Sequence, residues 1–186
     1  MTNTDLHQSG EQGLSAAEHS RGADDATLTL LEYGDYACPI CSEGEPMLLR
    51  LVEKFGKRMR FVYRHFPQNA IHPDAELAAE ASEAAAAQGR FWEMHHLLFT
   101  HHNHLKLSDL ARYAEQLELN MSRFYAEMAD RVYLQRVQEH RHAAQKFGLH
   151  STPSFFLNNY LIDTTSGWKN VEQDVYLALD VKFNSS

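Results

Sequence analysis

The residue pair that could do chemistry is Cys38 and Cys41, which stand three positions apart in the sequence Cys38-Pro39-Ile40-Cys41. Cysteines at this spacing form half of a zinc site, a redox pair or a chance pair. A buried strand precedes Cys38 and an amphipathic helix follows it, so Cys38 is expected at the first turn of that helix. Unpaired backbone N–H groups and the positive end of the helix dipole favour a thiolate there and lower the pKa of Cys38.

Cys41 follows one turn later on the same side of the helix, where its sulfur can reach that of Cys38. We therefore predict that Cys38 forms a mixed disulfide with a substrate and that Cys41, the more buried thiol, resolves it. Pro39 suits an early helical position, which needs no N–H. The alternatives are a static disulfide or two inert core thiols, but a short-span disulfide in a cytosolic chain is more often catalytic.

A zinc site would need two more ligands, and the chain has no other cysteine. Five histidines are close together in sequence: His95, His96, His101, His102 and His104. They follow or interrupt a helical stripe of apolar residues, so we expect His95 to pack inside the protein and the others to be solvated near a helix end. The prediction is that there is no metal site and no cofactor.

The elements around the cysteines alternate between strand and helix. Residues 27–33 form a nearly continuous apolar run, which predicts a strand that is buried on both faces. The helix after Cys41 ends at Gly56, and residues 59–66 predict a second strand that Pro67 ends. A strand, a helix and a strand in this order predict a right-handed crossover and a parallel pair.

The pattern then changes to helices, and it returns to strands only at Thr152. Asn158 and Asn159 suit a two-residue hairpin turn, and a closing helix is expected over residues 171–181. The prediction is an α/β fold of βαβ and ββα parts, with a mixed sheet and an all-helical insertion. The predicted organisation is a flexible tail over residues 1–18, a main domain formed by residues 19–69 and 149–186, and an insertion over residues 70–148.

Composition excludes several classes of protein. The net charge of −8 over 186 residues argues against nucleic acid and anionic lipid as partners. No apolar run approaches the roughly 18 residues that span a bilayer, and two cysteines exclude a disulfide-stapled scaffold. Residues 1–26 lack the basic start and apolar stretch of a secretory signal, so we expect a cytoplasmic protein.

Several motifs together resemble the DsbA-type thioredoxin-fold oxidoreductases, in particular their signal-less members. The resemblance runs from about His19 to about Leu179. It rests on the strand, the Cys38–Cys41 motif and its helix, the helical insertion, and Thr152-Pro153 before a strand. Three further stretches carry it: Leu31-Glu32-Tyr33-Gly34-Asp35-Tyr36, Arg64-His65-Phe66-Pro67 and Gly89-Arg90-Phe91-Trp92-Glu93-Met94-His95.

The resemblance implies roles for three more residues. Pro153 matches the family's cis-proline, which faces the cysteine pair, and Thr152 before it would pair its main chain with an extended substrate. Glu32 matches a buried acid that could relay a proton to or from Cys41. The residues between the cysteines differ from those of the strongly oxidising members, which have Pro-His. Since Ile40 cannot add to thiolate stabilisation, we expect a higher pKa for Cys38 and a less oxidising pair.

The leading hypothesis is therefore a thiol–disulfide oxidoreductase that acts on protein or peptide thiols and disulfides. Reduction or isomerisation is favoured over oxidation, and the redox partner, glutathione or a thioredoxin-type system, stays open. One alternative is a peptide-binding module that uses the Thr152–Pro153 groove without redox turnover. Another is a glutathione-linked transferase, although such relatives typically lack the second cysteine.

Overall fold

A computed structural model describes residues 18–164 and 167–180 of the chain. This part contains five strands and seven helices, in the order β1 (His19–Gly22), β2 (Leu28–Gly34), α1 (Pro39–Phe55), β3 (Met59–His65), α2 (Ala75–Ala86), α3 (Phe91–Thr100), α4 (Leu107–Gln116), α5 (Met121–Ala129), α6 (Leu134–Lys146), β4 (Ser154–Leu157), β5 (Tyr160–Leu161) and α7 (Trp168–Ala178).

The strands form one sheet in the order β1-β3-β2-β4-β5. β1 is antiparallel to β3, and β4 is antiparallel to both β2 and β5. β2 and β3 run in the same direction, because the Leu28 N–H donates to the Arg58 carbonyl at one end and the Phe66 N–H donates to the Gly34 carbonyl at the other. The predicted thioredoxin-type βαβ and ββα arrangement with a mixed sheet is confirmed, with the addition of β1, which the sequence did not indicate.

The long helix α1 begins at Pro39 and contains Pro46. Its inner face carries Leu48 and Leu51, which are both 2% exposed. Gly44 lies close against the indole of Trp168. A Cβ on Gly44 would be only 2.0 Å from Cη2 of that ring. Glycine is therefore required at this point of α1 for the close approach of the tryptophan.

The hairpin between β4 and β5 has the predicted two-residue turn, since Leu157 pairs with Tyr160. Asn158 has a φ of 51°, a conformation that asparagine tolerates better than most residues. Its side-chain oxygen accepts from the Thr29 N–H at 2.8 Å and its own N–H donates to the Thr29 carbonyl at 2.7 Å. The turn is thereby fixed to β2.

The described residues divide into two compact units. One contains residues 18–33, 44–64, 153–164 and 167–180, and the other contains Gly34–Glu43 and His65–Thr152. The insertion predicted over residues 70–148 lies inside the second unit, to which the segment with both cysteines also belongs. The predicted flexible tail lies outside the described residues except for Glu18, which is bonded to the buried Arg64 at 2.7 Å.

The helical unit is arranged around α2. This helix packs against α3, α4, α5 and α6, and four of its alanines, Ala78, Ala81, Ala84 and Ala85, are fully buried at 0% exposure. Small side chains let several helices approach one another, because they add little bulk at each contact. Among the residues that the structure describes, no helix has the length and apolar character needed to cross a bilayer.

Candidate active site

Cys38 caps the amino end of α1. Its carbonyl accepts the first helical hydrogen bond from the Ser42 N–H at 3.1 Å, and its own N–H donates to the Asp35 carbonyl at 3.0 Å. Pro39, the first helical residue, has no N–H to satisfy. The Cys38 sulfur is therefore surrounded by the unpaired N–H groups of the first turn, as the sequence predicted.

The two cysteines are free thiols and both are buried. Cys38 is 5% exposed and Cys41 is 1% exposed, whereas Ile40 between them is 55% exposed. The thiol predicted to attack is thus the more accessible of the two, and an apolar side chain stands in solvent beside it. The Ile40 side chain has no polar group to offer the thiolate.

The environment lowers the pKa of Cys38 from its ordinary value of 9.0 to about 6. The largest cause is a hydrogen bond from the Cys41 side chain, which outweighs the opposing effect of burial. The backbone N–H groups of Cys41 and Ile40 and the side chain of Thr152 also stabilise the thiolate. Sequence reasoning identified the helix N–H groups but not the thiol of Cys41 as the main donor.

The resulting pKa fits the expectation drawn from Ile40. Strongly oxidising DsbA has a cysteine pKa of about 3.5 and thioredoxin has one of about 7. The value of about 6 for Cys38 lies between them and nearer to thioredoxin. At pH 7 about ten thiolates are present for each thiol.

Thr152 contacts the Cys38 sulfur through its main chain. The Cys38 thiol donates to the Thr152 carbonyl at a distance of 3.5 Å. This bond favours the protonated form, whereas the Thr152 side chain favours the thiolate. This carbonyl is part of the peptide bond between Thr152 and Pro153. Pro153 is buried and directly precedes β4. The structure therefore brings Thr152 to Cys38, while the binding roles of Thr152 and Pro153 stay predictions.

A buried carboxylate that the sequence reasoning missed supports the turn before Cys38. Asp35 is 1% exposed and accepts hydrogen bonds from the Ala37 N–H at 2.8 Å and the Gln68 N–H at 2.9 Å. His72 Nδ1 lies 2.8 Å from the same carboxylate. The sequence identified this segment only as a turn, although an aspartate that bonds a backbone N–H two residues later is typical of such turns.

Helix α3 holds the cysteine segment at two points. The hydroxyl of Tyr36 is 3.0 Å from His95 Nδ1, and the Ser42 hydroxyl donates to the Phe99 carbonyl at 2.8 Å. His95 is buried, as predicted for a histidine that packs inside the protein. His101 Nδ1 lies 2.9 Å from the Leu97 carbonyl at the helix end, so this histidine is also engaged locally.

Glu32 is fully buried in the middle of β2, opposite Phe155 of β4. The family resemblance favoured a buried acid at this position, and the structure shows that Glu32 is buried. Burying a carboxyl group costs free energy, so a buried acid at this place requires a structural or functional reason. Its role in proton transfer stays a prediction.

Comparison with known proteins gives the family. A model of the thioredoxin family matches residues 15–175. A curated relative named Na(+)/H(+) antiporter NhaA 3, from Salinispora tropica, is 44% identical over 141 residues, which are 76% of this chain and 22% of the relative. The chain thus spans about a fifth of the length of the curated relatives that it matches.

Solved structures give the same fold at low sequence identity. A thioredoxin-like oxidoreductase from Silicibacter pomeroyi has a TM-score of 0.77 and 23% identity, over 97% of this chain and 100% of that one. Oxidised BdbD from Bacillus subtilis has a TM-score of 0.75 and 20% identity, over 88% and 93%. The thiol-disulfide exchange protein alpha-DsbA2 from Wolbachia pipientis has a TM-score of 0.72 and 14% identity, over 87% and 88%. The chain therefore belongs to the thioredoxin family and has the fold of its DsbA-like members.

Proposed function

We propose that this protein is an enzyme, a thiol–disulfide oxidoreductase that exchanges disulfides with protein or peptide thiols through Cys38 and Cys41. The observation that carries the proposal is the Cys38 thiol at the start of α1, whose pKa of about 6 is set mainly by the thiol of Cys41. A thiolate at neutral pH is both an available nucleophile and a good leaving group. Cys41, whose thiol donates this hydrogen bond to Cys38, is also the residue that would complete the exchange.

The exchange consists of two substitutions at sulfur. The Cys38 thiolate attacks a substrate disulfide, forms a mixed disulfide and releases one substrate thiolate, which takes up a proton. Cys41 then loses its proton and attacks the Cys38 sulfur, which releases the second substrate thiol and leaves a Cys38–Cys41 disulfide. Two electrons pass from the enzyme to the substrate. The same steps in reverse oxidise a substrate dithiol.

We propose further roles for Thr152, Pro153 and Glu32, as the family resemblance implies. The contact between the Cys38 sulfur and the Thr152 carbonyl supports a substrate main chain that pairs beside the sulfur, as in strand addition. The full burial of Glu32 supports the proposed role as proton relay, because it sets this acid apart from an ordinary solvated carboxylate. Glu32→Gln tests this role, since it should slow the resolution step and leave the first attack unchanged.

Turnover of cysteine variants tests the proposal. Cys38→Ser should abolish the reduction of insulin and of peptide disulfides, and Cys41→Ser should accumulate a mixed disulfide with substrate. A peptide-binding module would keep its affinity in Cys38→Ser and would show no turnover in the wild type. A glutathione-linked transferase would keep its activity in Cys41→Ser, because that chemistry uses one cysteine.

The reduction potential decides the direction of the reaction. DsbA has a potential of about −120 mV and thioredoxin one of about −270 mV. The pKa of Cys38 lies between those of the two proteins, so we expect an intermediate potential and a reductase or isomerase in a reducing compartment. Equilibration against glutathione buffers measures it. Cell fractionation tests the proposed cytoplasmic location. Glutathione and a thioredoxin-type system are the two candidate redox partners, and their rates of reaction with the Cys38–Cys41 pair can be compared.

A further inference from the structure

A cavity of about 300 Å³ lies in the helical unit, between the loop after β3 and the last turns of α6. This volume is at the lower end of the range of ligand pockets, about 300–1,000 Å³, so the cavity suits one or two side chains of a larger ligand. Ile71 at its edge is 71% exposed. Its lining includes Phe66, Gln68, Ile71, Arg141, Leu149 and His150.

Two short routes connect this cavity to the reactive sulfur within the same unit, one through the hydrogen bonds of Asp35 and the other along the chain to Thr152. Gln68 shares the carboxylate of Asp35 with Ala37, the residue before Cys38. On the other side, His150 stands two residues before Thr152, whose carbonyl lies 3.5 Å from the Cys38 sulfur. Two residues of chain span at most about 7 Å. A peptide bonded to Cys38 would therefore reach the cavity with a side chain about two residues from its cysteine.

The cavity carries positive charge in a protein whose net charge is −8. Arg141 lines it, and none of the described side chains that line it is an aspartate or a glutamate. Arg141 is paired with Glu76, whose Oε2 is 3.8 Å from the Arg141 guanidinium. Glu76 has closer partners, because Asn69 donates to the same oxygen at 3.0 Å and Arg131 lies 2.9 Å from the other.

Arg141 is therefore the most distant of these three partners of Glu76. Its side chain is 36% exposed, so a carboxylate that enters the cavity can approach the guanidinium without burying it. A charge-assisted hydrogen bond to a carboxylate is stronger than the contact at 3.8 Å, which is at the outer limit for an ion pair. The amide of Gln145, one turn after Arg141, also lines the cavity.

We infer that this cavity is a specificity subsite for an acidic side chain, carried about two residues from the reactive cysteine of an extended peptide substrate. The inference rests on the proposed function, because the peptide is placed by its disulfide with Cys38. The overall negative charge of the protein repels acidic peptides. A preference for them would therefore need a local cation, and Arg141 supplies one.

Matched peptides test the inference. Each peptide carries one cysteine as a mixed disulfide with an aromatic thiol, and has either Glu or Gln two residues before or after the cysteine. The rate of release of the aromatic thiol by the reduced protein is divided by the rate with dithiothreitol, which removes differences in intrinsic reactivity. We expect about a fivefold preference for Glu on one side of the cysteine, as for a partly exposed ion pair. The preference should shrink as salt is added.

Three variants identify the source of the preference. Arg141→Gln should abolish the preference. Gln145→Glu should do the same, because the new carboxylate, one helical turn away, would form an ion pair with the Arg141 guanidinium. Arg112→Gln, which removes an equal charge from an exposed side chain on α4, should leave it unchanged. Equal rates for Glu and Gln peptides in the wild type, or equal effects of Arg141→Gln and Arg112→Gln, would overturn the inference alone. If no peptide reacts with the wild type, the proposed function fails as well.

Discussion

The hydrogen bond from Cys41 to Cys38 gives the sharpest test of how this site works. It is the largest of the effects that bring the pKa of Cys38 to about 6. A hydrogen bond to a charged group contributes about 1.5–3 kcal/mol, which corresponds to about 1–2 pKa units. Cys41→Ala should therefore raise the pKa of Cys38 to about 7–8. At pH 7 the thiolate would fall from about nine-tenths of the molecules to a half or less.

The measurement is the pH dependence of thiolate absorbance, together with the rate of alkylation of Cys38. Cys41→Ser keeps a hydroxyl donor at the same place, so its pKa should stay closer to that of the wild type. Ser42→Ala is the control for disturbance of the helix, because the Ser42 hydroxyl donates to the Phe99 carbonyl and not to a cysteine. A titration midpoint near 6 in Cys41→Ala would show that the helix N–H groups, and not the second thiol, set the pKa.

Three further predictions concern the same region and its support. Thr152→Val should raise the pKa of Cys38 by less than Cys41→Ala does, because the Thr152 side chain is a smaller cause, and the same titration measures it. Gly44→Ala should destabilise the protein by about 1–3 kcal/mol in thermal unfolding, since the new Cβ would overlap the Trp168 ring. The reduced protein should gain about 1.4 kcal/mol of stability between pH 5 and pH 7, because the unfolded chain binds more protons than the folded one above pH 6. This gain is lost as pH falls through about 6. Denaturant titrations at several pH values should show it in the wild type, and a Cys38→Ser variant with the same gain would contradict the assigned pKa.

The sequence was most informative where a local pattern determines a local structure. The apolar run of β2, the helix stripe after the cysteines and the Asn158–Asn159 turn each depend on neighbouring residues, and the structure has all three. The position of Cys38 at the amino end of α1 followed from the same patterns. The strand β1 was not indicated, because four residues with the polar sequence His-Ser-Arg-Gly have little strand character of their own and form a strand only by pairing with β3.

What the sequence alone determined is the pair of cysteines one helical turn apart, the strand and helix that position them, and hence the family. Only the tertiary structure decided what surrounds the Cys38 sulfur. The Thr152 carbonyl comes from a residue 114 positions away, and the Asp35 carboxylate joins the cysteine turn to a loop 33 positions away. The cavity beside Arg141 likewise combines two distant segments. Chain folding brings such groups together through contacts that no local periodicity records, and these contacts distinguish one active site of this fold from another.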